Sequence, residues 1–252
     1  MAETEFGLNT ITYALIGGIG PALLWLLFWL REDKRHPEPP RLLLLAFVAG
    51  ALAVFISFIF QQAVIGTSVD VNELFTRFTG PSGSLLLALG LLIIWSFIEE
   101  LAKFLGIWLT ALKSGFNDEP IDPMVYMITG ALGFVAMENT LFILNAQLFG
   151  NHQLEFLITG NLRFLGASIV HIVSSAIIGG AMSLTFYSSP GRRFIALIWG
   201  FILATLLHAG FNFLIITGTD ILMIFILWWV LAIAVLLFFE KVKRLTTHPS
   251  NN

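Results

Sequence analysis

The 252-residue sequence has no cysteine, which excludes a disulfide framework, a thiolate nucleophile, Cys-ligated zinc and an iron–sulfur cluster. Charge is nearly as scarce. Only 12% of residues are charged against 57% apolar, and the mean hydropathy of +0.88 lies outside the range of soluble domains. Thirteen Lys+Arg against 16 Asp+Glu give a net charge of −3, so no basic surface is present to follow a nucleic acid backbone. Residues 1–10, MAETEFGLNT, lack the basic region and small-residue cleavage site of a secretory signal, and the first apolar segment is expected to be retained.

What is there instead is a series of apolar runs of helical length. A hydrocarbon core of about 30 Å takes roughly 20 residues of helix, the form that satisfies every backbone group of a single segment in lipid. Spans are expected at Ile11 to Leu30, Leu42 to Ala63, Leu85 to Leu112, Met124 to Phe149, Leu162 to Tyr187, Phe194 to Ile216 and Ile221 to Phe239. Breaks fall at the charged, Pro-rich stretch Arg31 to Arg41, at Gly80-Pro-Ser-Gly83, at Asp122-Pro123 and at Ser188-Ser-Pro-Gly191. The expected fold is therefore an all-α, polytopic membrane bundle of about seven transmembrane helices, one integral membrane domain over residues 1–252. Arg31, Lys34, Arg35, Arg41, Lys113, Arg192, Arg193, Lys241, Lys243 and Arg244 all fall on one side of such a bundle. Basic loops stay cytoplasmic, so the N-terminus is expected outside and the C-terminus in the cytoplasm. In the outer loop, Leu74, Phe75 and Phe78 beside Glu73 and Arg77 read as a short interfacial helix.

An ionisable group in mid-bilayer costs about 2.5 to 3.5 kcal/mol on insertion scales, so each one retained calls for a function. The third span carries Glu99, Glu100 and Lys103, the fourth Glu138 and Asn139, the fifth His171, and the sixth His208 and Asn212. Counted from the span ends, these lie in one layer between the midplane and the outer leaflet. Lys103 stands four residues from Glu99 and three from Glu100, so it can neutralise one carboxylate of its own helix and leave the other over. A carboxylate taken out of water beside a second Glu suits acid/base work, accepting a proton from water and returning it to a leaving amine. A single Glu–Lys pair would read as structural and a lone His or Asn as packing or interhelical glue, but glue does not require three Glu and two His in one layer. Ser168, Ser174 and Ser175 read as small packing residues, and His36, His152 and His248 as solvated loop or tail residues.

Elimination narrows the chemistry. Asp33, Asp70, Asp118, Asp122 and Asp220 all stand in loops or at span ends, so no intramembrane aspartyl dyad is available. No His is followed by Glu, which removes the His-Glu-x-x-His zinc motif. Ser82, between Pro81 and Gly83, belongs to a turn rather than to a nucleophile site.

With these motifs the sequence resembles the PrsW family of intramembrane proteases, related to the larger group that includes the glutamate-type CAAX prenyl endopeptidases. The resemblance rests on Asp33-Lys-Arg-His-Pro-Glu-Pro39 with Phe47 and Gly50, on Glu99-Glu100-Leu-Ala-Lys103, on Phe134-Val-Ala-Met-Glu138-Asn139, on Arg163 before His171, and on His208-Ala-Gly-Phe-Asn212. It implies an endopeptidase acting on membrane-anchored proteins within the lipid bilayer. Glu99 or Glu100 is then the general base, with the other held by Lys103; His171 orients or shuttles protons, and His208 and Asn212 donate to the developing oxyanion. Glu138, where CAAX-type relatives place a His, is counted among the catalytic residues without a specific step, and Asn139 and Arg163 are supporting residues. The same side chains, Glu99 or Glu100 with Glu138, His171 and His208, would also furnish zinc ligands with one position open for water. Metal-free glutamate chemistry without a cofactor is the expectation, because Lys103 beside the pair would compete with a cation. Two other classes stay open: a proton-coupled transporter or channel, although the inverted repeats or paired broken helices of such proteins are not evident, and a non-enzymatic membrane scaffold.

Overall fold

The structure, a computed structural model, describes residues 8–32, 37–65, 84–149, 153–217 and 220–246. The described residues form seven α-helices: α1 (Leu8–Glu32), α2 (Pro40–Ile65), α3 (Leu85–Ile107), α4 (Asp122–Phe149), α5 (Gln153–Leu184), α6 (Pro190–Ile216) and α7 (Ile221–Thr246), with a π-helical turn, Trp108–Leu112, closing α3. No strand occurs among the described residues. Six of the helices, all but α5, are long and apolar enough to cross a membrane; within α5 the described apolar stretch is Ser168–Leu184. The chain is a multi-pass integral membrane protein.

Helix starts follow local chemistry. Pro40 and Pro190 open α2 and α6, where the missing N–H has no intrahelical partner to lose. Asp122 opens α4, its carboxylate accepting the backbone N–H groups of Asp118 at 2.9 Å and Glu119 at 2.7 Å. Two ends differ most from expectation. Helix α5 begins nine residues before Leu162, and α7 continues to Thr246, past the expected end at Phe239. Both extensions mix polar with apolar residues and hold no proline, and in α7 a Glu240–Lys243 pair at 2.5 Å spans one turn, so helix continues beyond the unbroken apolar run. The Glu73 to Phe78 stripe, the Gly80–Gly83 turn, Asp33 to His36, His152 and His248 lie outside the described residues, as does the side chain of Arg163.

Helix α2 packs on α3 and α4, α3 on α6, and α5 on α4 and α6. These five close a ring, with α1 against α4 and α7 against α5 on its outside. Pairs such as Gln61 with Glu99 and Ala49 with Gly106 make α2 and α3 antiparallel; Glu138 with His171 and Pro123 with Gly179 do the same for α4 and α5. Two glycines allow the tightest approach. A Cβ on Gly50 would overlap the Gly130 carbonyl, and one on Gly133 would overlap the carbonyl of Phe47, so α2 and α4 cross backbone to backbone. Gly133→Ala should therefore lower stability by about 1–3 kcal/mol, by the cost of overpacking. A thermal midpoint in detergent equal to wild type would show that the contact is looser than this.

At one end of the ring a second polar cluster joins the chain before α2 to α4. Glu38, buried, accepts a hydrogen bond from the phenol of Tyr126, and Asp122 is buried beside them. Glu38 was expected only as part of a Pro-Glu-Pro loop; its partner eighty-eight residues away pins that loop to the first turns of α4.

Candidate functional site

The ring encloses the ionisable residues. Glu100 and Lys103 on α3 are both 0% exposed and pair at 2.7 Å, so three-residue spacing, rather than the four-residue alternative to Glu99, sets the ion pair. The same Glu100 Oε1 accepts from His208 Nδ1 of α6 at 2.8 Å, and its Oε2 lies 3.4 Å from Ser175 Oγ of α5. Ser175, expected to be a packing residue, thus faces the cluster.

Lys103 Nζ also contacts His171 Nδ1 at 3.0 Å and stands 4.9 Å over the ring of Phe134. An ammonium only donates, so Nδ1 accepts and the proton of neutral His171 rests on Nε2. That nitrogen lies 3.0 Å from Glu138 Oε2 of α4 and donates to it. By the same logic His208 donates Nδ1–H to Glu100, and its Nε2 lone pair is left 3.5 Å from Glu99 Oε2. The two imidazoles meet edge to face with centroids 4.7 Å apart. Glu138 is the most open member, its side chain 38% exposed, whereas Glu99 is buried.

The structure thus brings together Glu99, Glu100, Lys103, Glu138, His171 and His208 from four helices. Asn212 stands one turn beyond His208 and points its Nδ2 at Ser96 Oγ, 3.4 Å away, so its recorded contact is beside the cluster, not in it. Asn139 is buried with its Nδ2 unpartnered among the described residues, as are Ser174 Oγ on α5 and Thr205 Oγ1 on α6. Gln61 of α2 was missed by sequence reasoning: its Nε2 donates to Glu99 Oε1 at 3.0 Å. The available signal was the amide pair Gln61-Gln62 within a largely apolar span, which a search for ionisable groups passes over.

Glu99, His171 and His208 each offer one ligand atom within 4.8 Å of the others, all three residues being buried. Two nitrogens and a carboxylate oxygen at this spacing match the donor set of a catalytic zinc, and the Glu100–His208 hydrogen bond is the carboxylate support that a ligating imidazole normally has. The objection that Lys103 would compete with a cation weakens here, because Lys103 is held by Glu100 and His171 Nδ1, not by Glu99.

Over most of its length the chain is similar to known proteases. Protease PrsW of Bacillus subtilis (strain 168) is 24% identical over 224 residues, 86% of this chain and 92% of that protein. Protease PrsW of Geobacillus kaustophilus (strain HTA426) is 26% identical over 218 residues, covering 84% of this chain and 86% of that one. Protease PrsW of Halalkalibacterium halodurans is 22% identical, covering 86% and 92%. No solved structure matches the chain. The model of the family described as "PrsW family intramembrane metalloprotease" matches residues 38–238, a stretch that holds every residue of the polar cluster, and the chain belongs to that family.

Proposed function

We propose that the protein hydrolyses peptide bonds of membrane-anchored proteins within the bilayer, with Glu99, His171 and His208 holding a divalent metal ion, zinc by donor type, and Glu138 acting as general base. The observation that carries this reading is the meeting of these three ligand atoms from α3, α5 and α6, with an open carboxylate bonded to one of them. It revises the expectation of metal-free chemistry with Glu99 or Glu100 as base. Glu100 is fully committed to Lys103 and His208, while Glu138 is exposed enough to meet water and substrate.

A bound zinc would polarise the scissile carbonyl and make its water more acidic. Glu138 takes the proton of the attacking water as its oxygen bonds to the carbonyl carbon, then delivers it to the amide nitrogen as the C–N bond breaks. His171 Nε2–H holds the Glu138 carboxylate beside the metal-holding groups before a metal binds. Ligation by His171 would require that ring proton to leave, and the exposed Glu138 bonded to it offers the route to solvent, after which the carboxylate is ionised again and free to act as base while the Lys103 ammonium stays on Nδ1. The Glu100–Lys103 pair keeps His208 in the tautomer whose Nε2 is free to ligate.

The chain is taken as one integral membrane domain. Alternating helices bring Arg31, Arg41, Lys113, Arg192, Arg193, Lys241, Lys243 and Arg244 to the end at which Glu38 meets Tyr126, which supports a cytoplasmic assignment for that end and an outside N-terminus.

Purified protein in proteoliposomes should cleave a single-span reporter, lose cleavage on exhaustive chelation and regain it on addition of zinc. Full activity after chelation would remove the metal-holding role. An intact reporter with zinc-replete protein would remove the protease reading.

A further inference from the structure

Helix α2 contributes one group to the cluster, and its chemistry separates the two adjacent carboxylates. Gln61 is only 3% exposed. A primary amide in this position loses hydration and needs partners in the protein. Ser57, one turn earlier, satisfies itself on the Val54 carbonyl of its own helix at 2.9 Å, as Thr110, Thr129, Thr140 and Ser183 do on theirs. Gln61 instead reaches to α3, where Nε2 lies 3.0 Å from Glu99 Oε1 and 3.4 Å from the Trp95 carbonyl.

The partners of Glu99 and Glu100 differ in charge. Glu100 meets an ammonium and is neutralised as a pair. Glu99 meets a neutral amide, which fixes one oxygen without cancelling the charge and leaves Oε2 turned toward His208 Nε2. A cation between these groups needs that arrangement: a carboxylate that is anionic, oriented, and not already satisfied by Lys103.

We propose that Gln61 is a positioning residue that selects Glu99, rather than Glu100, as the carboxylate that works in the site, by holding its Oε1 from the neighbouring helix. This rests on the assignment of Glu99 as a metal-holding residue. It makes every helix of the five-membered ring a contributor to the site.

The test uses the full-length protein in detergent, with zinc affinity measured by competition against a chromophoric chelator and kcat and KM measured on the single-span reporter. Gln61→Met keeps the length of the side chain and removes the donor. Zinc affinity should fall about 10- to 100-fold, the usual cost of losing an outer partner of a ligand, and kcat should fall with KM for the reporter little changed. Gln61→Asn, whose amide stops one methylene short of Glu99, should show the same loss and covers the case in which Met at this position prevents folding. Folded variants that bind zinc and turn over like wild type would overturn the proposal. A wild type that cleaves without binding zinc would refute the metal assignment and leave the kcat of Gln61→Met to decide the positioning role. A wild type that neither binds nor cleaves would end both.

Discussion

His171→Ala, stably inserted, will cleave a single-span reporter about 10² to 10⁴ times more slowly than wild type, the range over which a positioned acid/base system contributes. The size follows from what this ring joins. Its Nδ1 accepts from Lys103 at 3.0 Å and its Nε2 donates to Glu138 at 3.0 Å, so one substitution releases the ammonium on one side and the open carboxylate on the other. The same change removes one of the three ligand atoms. Ser183→Ala on the same helix is the control: among the described residues its hydroxyl bonds only to the Gly179 carbonyl of α5, and turnover should stay at the wild-type level. A His171→Ala protein retaining more than about a tenth of wild-type turnover would place the reacting groups elsewhere.

The second large effect concerns folding. Lys103→Met leaves the Glu100 carboxylate, 0% exposed, facing the His208 imidazole without a fixed cation. Breaking a buried pair from one side typically costs about 3–5 kcal/mol, because the remaining charge cannot recover its hydration. Converting both partners removes the orphaned charge, so Lys103→Met with Glu100→Gln should be more stable than Lys103→Met alone, although inactive. Unfolding midpoints of the two proteins in the same detergent compare them directly. If the single variant is as stable as the double, the pair does not carry the energetic role given to it, and the contact of Lys103 with the Phe134 ring becomes the main reason for its burial.

The number and position of the helices could be read from the residues because lipid imposes a strong condition on a chain: a segment of about 20 residues must be apolar and helical together. Ends were less legible, since the first part of α5 and the last turns of α7 are helical for local reasons after the apolar pattern has stopped. Within the site, Glu99, Glu100, Lys103, Glu138, His171 and His208 stood out because ionisable groups are expensive in a membrane. The choice between Glu99 and Glu100 for Lys103 was not legible. Both spacings permit the pair, and the decision comes from Phe134 and His171 on other helices. Gln61 carries no charge and has a second glutamine, Gln62, beside it, so only its contact with Glu99 gives it meaning. The joining of Glu38, Tyr126 and Asp122 escaped for a different reason: each residue alone is ordinary at a loop or a helix start, and their proximity is set by the crossing of α2 over α4.

Because the cluster draws on helices from α2 to α6, it has no precursor in the growing polypeptide. Up to Phe149 the chain gives the cluster carboxylates but no imidazole, and up to Leu184 only that of His171; His208 arrives with α6. On the roles proposed above, a nascent chain that has not yet supplied α6 lacks one metal-holding residue, so hydrolytic competence waits for His208.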